Sequence, residues 1–253
     1  MKSILSIILF SLIGCTANVG LNTDPNPSCQ YQVYRHANTP WLLTNPEMHI
    51  VFYGMQWQLD VNQEDQIQTA WTILFQNGVL NRLSEYGINS GSFDPTIYNS
   101  DLNVDTTTTN GISSVITKPI VIDDNTIPNQ INQDILSGLL PFPNSNTLYT
   151  IILPPNVSTT QLVNENAVGH HRYSTYDGVD YAYSVILYEP DFDYENEIVS
   201  HELYESSTNP DLANGYYGVN TDQEIADICY TYYEYVAGYK VEKVFSERDC
   251  KCL

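Results

Sequence analysis

The sequence predicts a single α+β domain, with α/β as its near alternative, in which a mixed β-sheet packs on helices. Three observations lead there. Segments of strand character interleave with segments of helical periodicity along most of the chain. The 253 residues are 42% hydrophobic, enough to bury one sizeable core. The most distinctive helical segment comes late and directly follows a strand.

Residues 1–17 read as a signal peptide: Lys2, an apolar run from Ile4 to Ile13, then small residues, too short for a stable membrane span. Cys15-Thr16-Ala17 suits cleavage before Asn18. Leu12-Ile13-Gly14-Cys15 equally suits a bacterial lipobox, with lipid on Cys15. The expected location is therefore extracellular, by free secretion or by a lipid anchor. Residues 18–46, rich in Asn, Pro and Thr, read as an irregular lead-in, either an activation segment or a tail. One domain is expected over 47–253.

Within it, "MHIVFYGMQW" (48–57) is β-branched and aromatic, as strands are. From Val61, Ile67, Ala70, Trp71, Leu74 and Phe75 recur at helical spacing, and Asn77-Gly78 ends that helix. "SVITKPIVID" (114–123) reads as a strand and residues 127–140 as an amphipathic helix stopped before Pro141. "LYTIILPP" (148–155) and "VDYAYSVILYEP" (179–190) read as buried strands. Residues 194–207 have helical character, terminated by Asn209-Pro210. No other segment is apolar enough to span a membrane.

Charge narrows the functional classes. Nine Lys+Arg against 30 Asp+Glu give −21, so a phosphate backbone would be repelled and nucleic-acid binding is excluded. Cations and basic partners suit such a chain. Besides Cys15, the cysteines are Cys29, Cys229, Cys250 and Cys252, an even number that suits two disulfides in an oxidising compartment. Cys250 and Cys252 are too close to favour a bond with each other, so each is expected to pair with one of Cys29 and Cys229. Asn156-Val157-Ser158 is a glycosylation sequon, relevant only in a eukaryote. No G-x-S-x-G and no phosphate-binding glycine loop occurs.

"SHELYESSTNP" (200–210) carries the chemistry. On a helix, positions four apart share a face, so His201 and Glu205 project together as a metal-gripping pair. Glu202 sits beside them, where a general base for hydrolysis is needed. A third ligand must come from elsewhere. Glu224 follows Glu205 after eighteen residues, and Asp227 lies three further on as a ligand or an outer-shell acceptor for His201. Without further context, the same residues are an acidic solvated helix with one His.

The order of the surrounding residues resembles a known family. Gly169 and His171; then His201, Glu202, Leu203, Glu205, Thr208, Asn209 and Pro210; then Glu224, Ala226, Asp227 and Cys229 match the pattern of the EXORDIUM-like, phosphate-induced family and its bacterial and fungal relatives. Tyr53, Gly54 and Trp57 match an earlier segment of it. The resemblance covers roughly residues 48–230 and is strongest over 169–229. Two departures stand out: His170 replaces the family's Tyr, and the Cys-rich and Gly-rich segments of many relatives are missing.

The resemblance implies a zincin-like single domain with the active-site-type helix late in the chain. The separation between H-E-x-x-E and Glu224 is also similar to that of the gluzincin peptidases. Zinc is the implied cofactor, held by His201, Glu205 and Glu224. Replacing a His ligand by Glu205 makes the donor set oxygen-rich, which also admits Mn²⁺ or Ca²⁺. Two functional classes follow. One is a secreted zinc metallopeptidase acting on a peptide or protein substrate, with Glu202 as base and His171, or its neighbour His170, steadying the oxyanion. The other is a non-catalytic extracellular protein that binds cell-wall or surface partners.

Overall fold

The computed structural model describes residues 31–35, 41–54, 57, 61–102, 120–219 and 223–253. The signal peptide, Cys15, Cys29 and the first part of the strand expected over 114–123 lie outside the described residues. In chain order the elements are β1 (Val33–Arg35), β2 (Glu47–Tyr53), α1 (Val61–Gln76), β3 (Ser92–Ser100), β4 (Ile120–Ile122) and α2 (Thr126–Ser137). Next come β5 (Thr147–Ile152), β6 (Val157–Thr159), α3 (Thr160–Glu165), β7 (Gly169–Tyr176), β8 (Val179–Ile186) and α4 (Phe192–Thr208). The last are β9 (Tyr216–Gly218), β10 (Tyr233–Val236), β11 (Tyr239–Glu242), β12 (Phe245–Ser246) and β13 (Lys251–Cys252).

The central sheet has five strands in the order β3-β2-β5-β8-β7. Four run parallel, and β7 returns antiparallel along one edge. The fold is thus α+β with a mixed sheet. Side chains alternate by the two-residue period of a strand. Met48, Ile50, Phe52, Leu148, Ile152, Ala182 and Ile186 join the core under α1 and α4. Val51, Tyr53, Tyr149, Ile151, Tyr181, Tyr183 and Val185 join the opposite core, with Ile127, Ile131 and Ile135 of α2 and Leu162 of α3.

α1 buries Ile67, Ala70, Trp71 and Leu74, the residues its periodicity singles out. α2 stops at Gly138, whose φ of 77° closes the helix in the left-handed conformation. β3 was not expected as a strand. It holds Pro95, which an edge strand tolerates where the register shifts, and the pairing with β2 shifts there between His49 and Val51. Val33–Arg35 likewise forms a strand inside the stretch expected to be irregular, pairing with β9.

Two hairpins shape the site. β7 and β8 are joined by Asp177-Gly178, both at positive φ (49° and 79°), as a tight antiparallel turn requires. β10 and β11 are joined by Ala237-Gly238, again both at positive φ. Between these hairpins lies α4, capped by Asp191, whose carboxylate accepts from the backbone N–H of Asp193 and Tyr194. Nearly every residue from Glu195 to Thr208 is buried. Small sheet residues such as Ala182, and Ser184 and Thr150 bonded to each other, face this side of the sheet. The β10–β11 hairpin covers the outer side of α4, where the Glu242 N–H donates to Ser200 Oγ at 2.8 Å. The Cys229–Cys252 disulfide ties the last strand to the loop beside the site, one of the expected pairings. No helix among the described residues is long and apolar enough to cross a membrane.

Candidate metal centre

α4 presents His201, Glu202 and Glu205 to a cleft of about 580 Å³. The start of β7 forms a second wall with Gly169, His170, His171 and Arg172, and the loop after β9 supplies Glu224 and Asp227. Gly169 allows the close approach of strand and helix. A Cβ there would lie 2.6 Å from Glu202 Oε1 and 2.9 Å from Ile198 Cγ2.

His201 is held from behind. Its Nδ1 lies 2.6 Å from Glu242 Oε2, a carboxylate only 3% exposed on its side chain. In the tautomer where Nδ1–H donates to Glu242, the Nε2 lone pair faces Glu205 Oε1 at 3.1 Å and Asp227 Oδ1 at 3.8 Å. A carboxylate behind an imidazole whose other nitrogen meets oxygen donors is the outer support of a metal-binding histidine.

His171 is arranged in the same way. Its Nε2 lies 3.1 Å from the Asn209 carbonyl oxygen, so Nε2–H donates there. Nδ1 then faces Glu202 Oε2 at 3.5 Å and Glu205 Oε2 at 3.6 Å. Glu224 Oε1 lies 3.6 Å from Nε2. Asn209, the C-cap of α4, organises this corner. Its amide donates to Glu224 Oε1 at 2.6 Å and to the Tyr217 hydroxyl, and its Oδ1 accepts from the Gly215 N–H. Glu224 is placed by an antiparallel bridge to Tyr217 of β9.

The electrostatics are those of a cavity short of cations. Burial alone would depress both imidazoles. Glu205 and Glu242 around His201, and Glu224, Glu202 and Glu205 around His171, lift both well above their ordinary value. Burial pushes Glu205 up, but His201 and His171 more than offset this and hold it low. Burial, then the charge of Glu205, raises Glu224 to about 8 and Asp227 to about 6. Glu202 Oε2 and Glu205 Oε1 are buried and accept no hydrogen bond of good geometry. Leaving such groups without a partner is costly, and a divalent cation would satisfy both oxygens. The donors therefore fit a metal ion, with more oxygen than a typical zinc site.

The structure brings all six predicted site residues to this one cleft. Their grouping differs from the spacing argument in one respect. Donor atoms of His201, Glu202 and Glu205 lie within 4.8 Å of one another, and so do those of His171, Glu205 and Glu224. Glu224 thus falls with His171 rather than His201, and Asp227 falls in neither group. His170, on the alternate face of β7, is buried, and neither ring nitrogen has a hydrogen-bond partner among the described residues. Its pKa falls to about 4, first through burial and then through Arg172 and His171. Sequence reasoning missed Glu242 altogether. Its only signal was the Ala237-Gly238 turn, which sets β11 in register beside α4.

No family model, curated protein or solved structure matches the chain.

Proposed function

We propose that this protein is a zincin-like, metal-dependent peptidase that acts outside the cell. The observation that carries the reading is the convergence at Glu205. An H-E-x-x-E helix, a histidine on the adjoining edge strand and a loop carboxylate meet in one cleft, with the outer nitrogen of each imidazole already held. The motif order over 169–229, which resembles that of the EXORDIUM-like family, supports an extracellular protein with a metallopeptidase-like core. The position of the H-E-x-x-E helix beside an antiparallel edge strand supports the same core.

His201 and Glu205, or His171, Glu205 and Glu224, would hold the ion. When bound, zinc supplies Lewis acidity, polarising a carbonyl and making water a better nucleophile. The remaining work belongs to the chain. Glu202 takes the proton of the attacking water and returns it to the leaving amine, so no proton must come from bulk solvent. Glu242 holds His201 in one tautomer. Asn209 holds both His171 and Glu224, which keeps the cleft assembled before substrate arrives. Among the described residues no strand pairs with the outer edge of β7, whose backbone N–H and C=O groups offer a place for an extended peptide to lie.

A peptide-library assay of wild type beside Glu202→Gln tests this. Turnover should fall by roughly 10²–10⁴ in the variant, while its metal content stays unchanged. Metal binding without cleavage of any peptide by wild type would remove the enzymatic reading and leave a metal-bearing extracellular binding protein.

A further inference from the structure

We propose that the centre holds two divalent ions bridged by Glu205; this rests on the metal reading above and asks how many ions that site takes. The geometry of the imidazoles points to it. His171 and His201 each join Glu205 in a ligand group, but no group contains both. Ligands bound at about 2.0–2.2 Å cannot lie more than about 4.4 Å apart across one ion. One ion at these positions therefore takes one imidazole and leaves the other facing carboxylates.

Glu205 is disposed to serve both. Its Oε1 lies 3.1 Å from His201 Nε2, and its Oε2 lies 3.6 Å from His171 Nδ1. A carboxylate shared in this way suits ions about 3.5–4 Å apart, the spacing of two-metal hydrolytic sites. The support is doubled as well. Glu242 fixes the outer nitrogen of His201 at 2.6 Å, and the Asn209 carbonyl fixes that of His171 at 3.1 Å. Each imidazole thus turns its other nitrogen towards Glu205. Asp227, 3.8 Å from His201 Nε2, stands beside the His201 group as a further carboxylate.

Charge and burial agree. Of the seven carboxylates that line the cleft, Glu165 and Glu197 are paired with Arg172 and Lys240, which leaves Glu202, Glu205, Glu224, Asp227 and Glu242 around the two imidazoles. With the imidazoles neutral and the carboxylates ionised, as metal binding requires, one divalent ion offsets two of those five charges and a second offsets four. Glu202 and Glu205 are only 3% and 4% exposed, and each has an oxygen that accepts no hydrogen bond of good geometry from the described residues, which a bound cation would offset.

The test is a metal count on the full secreted protein, stripped with chelator, reloaded with Zn²⁺ and desalted. Calorimetric titration and, in a Mn²⁺-loaded sample, electron paramagnetic resonance accompany it. Two ions per chain are expected, with a spin-coupled Mn²⁺ pair. His171→Ala and His201→Ala should each fall from two ions to one, and Glu205→Gln should lose the coupling. Circular dichroism reports whether each variant folds, with His171→Gln as the milder substitution. One ion in the wild type, kept in His171→Ala and lost in His201→Ala, overturns the pair but leaves the single-metal peptidase intact. No ion in the wild type overturns both.

Discussion

Replacing Glu242 by Gln tests the residue that supports His201 from behind. Glu242 Oε2 lies 2.6 Å from His201 Nδ1 in a place where both side chains are largely shielded from water. The isosteric amide keeps the volume and an oxygen acceptor but removes the charge. The Glu242 backbone contact to Ser200 is untouched, so α4 and β11 stay docked. What changes is the basicity and orientation of His201. Losing an outer-shell carboxylate behind a metal-bound imidazole costs about 10–100-fold in metal affinity, or about 1.4–2.8 kcal/mol. Competition with a chromophoric zinc chelator measures this directly. Glu234→Gln is the control: it removes a carboxylate from the same hairpin that pairs with Arg82 and does not contact the imidazole. Its affinity should stay within about threefold of wild type, since Glu234 does not line the cleft. Equal affinity in wild type and Glu242→Gln would refute the role assigned to Glu242 and the tautomer of His201.

Two further outcomes follow from the same geometry. Gly169→Ala places a Cβ against the tip of Glu202 and the Ile198 methyl, so thermal unfolding should report a loss of about 1–3 kcal/mol. Turnover should fall more than that loss explains, because the side chain that moves is the base; unchanged turnover would count against Glu202. Burial lowers the His170 pKa to about 4 from 6.5, so the unfolded chain takes up the proton first. Its contribution to stability is complete above pH 6.5 and is lost as pH falls towards 4, by on the order of 3 kcal/mol. Melting curves in EDTA should show His170→Gln losing less stability than wild type across that window, and parallel losses would show that His170 does not titrate there.

The sequence made the parallel core readable because its strands are short apolar runs with clear ends. β2, β5 and β8 appear within a few residues of the expected places, and α1 buries the predicted face. β7 escaped notice because its outer half, from Arg172 to Tyr176, is half-exposed and polar on an edge. The Asp177-Gly178 turn was the available signal for it. α4 shows little periodicity because it is buried all round, with the sheet on one side and the hairpin on the other. The ligating pair on α4 was legible from helical spacing alone. Glu242 and the linking role of Asn209 were not, since each depends on contacts between segments far apart in the chain.

The most direct measurement is a zinc-edge anomalous difference map from crystals of the mature protein grown with zinc. The account predicts strong density within about 2.0–2.2 Å of Glu205 and of at least one imidazole, His201 or His171. A well-ordered cleft with no anomalous density beside Glu205 would contradict it.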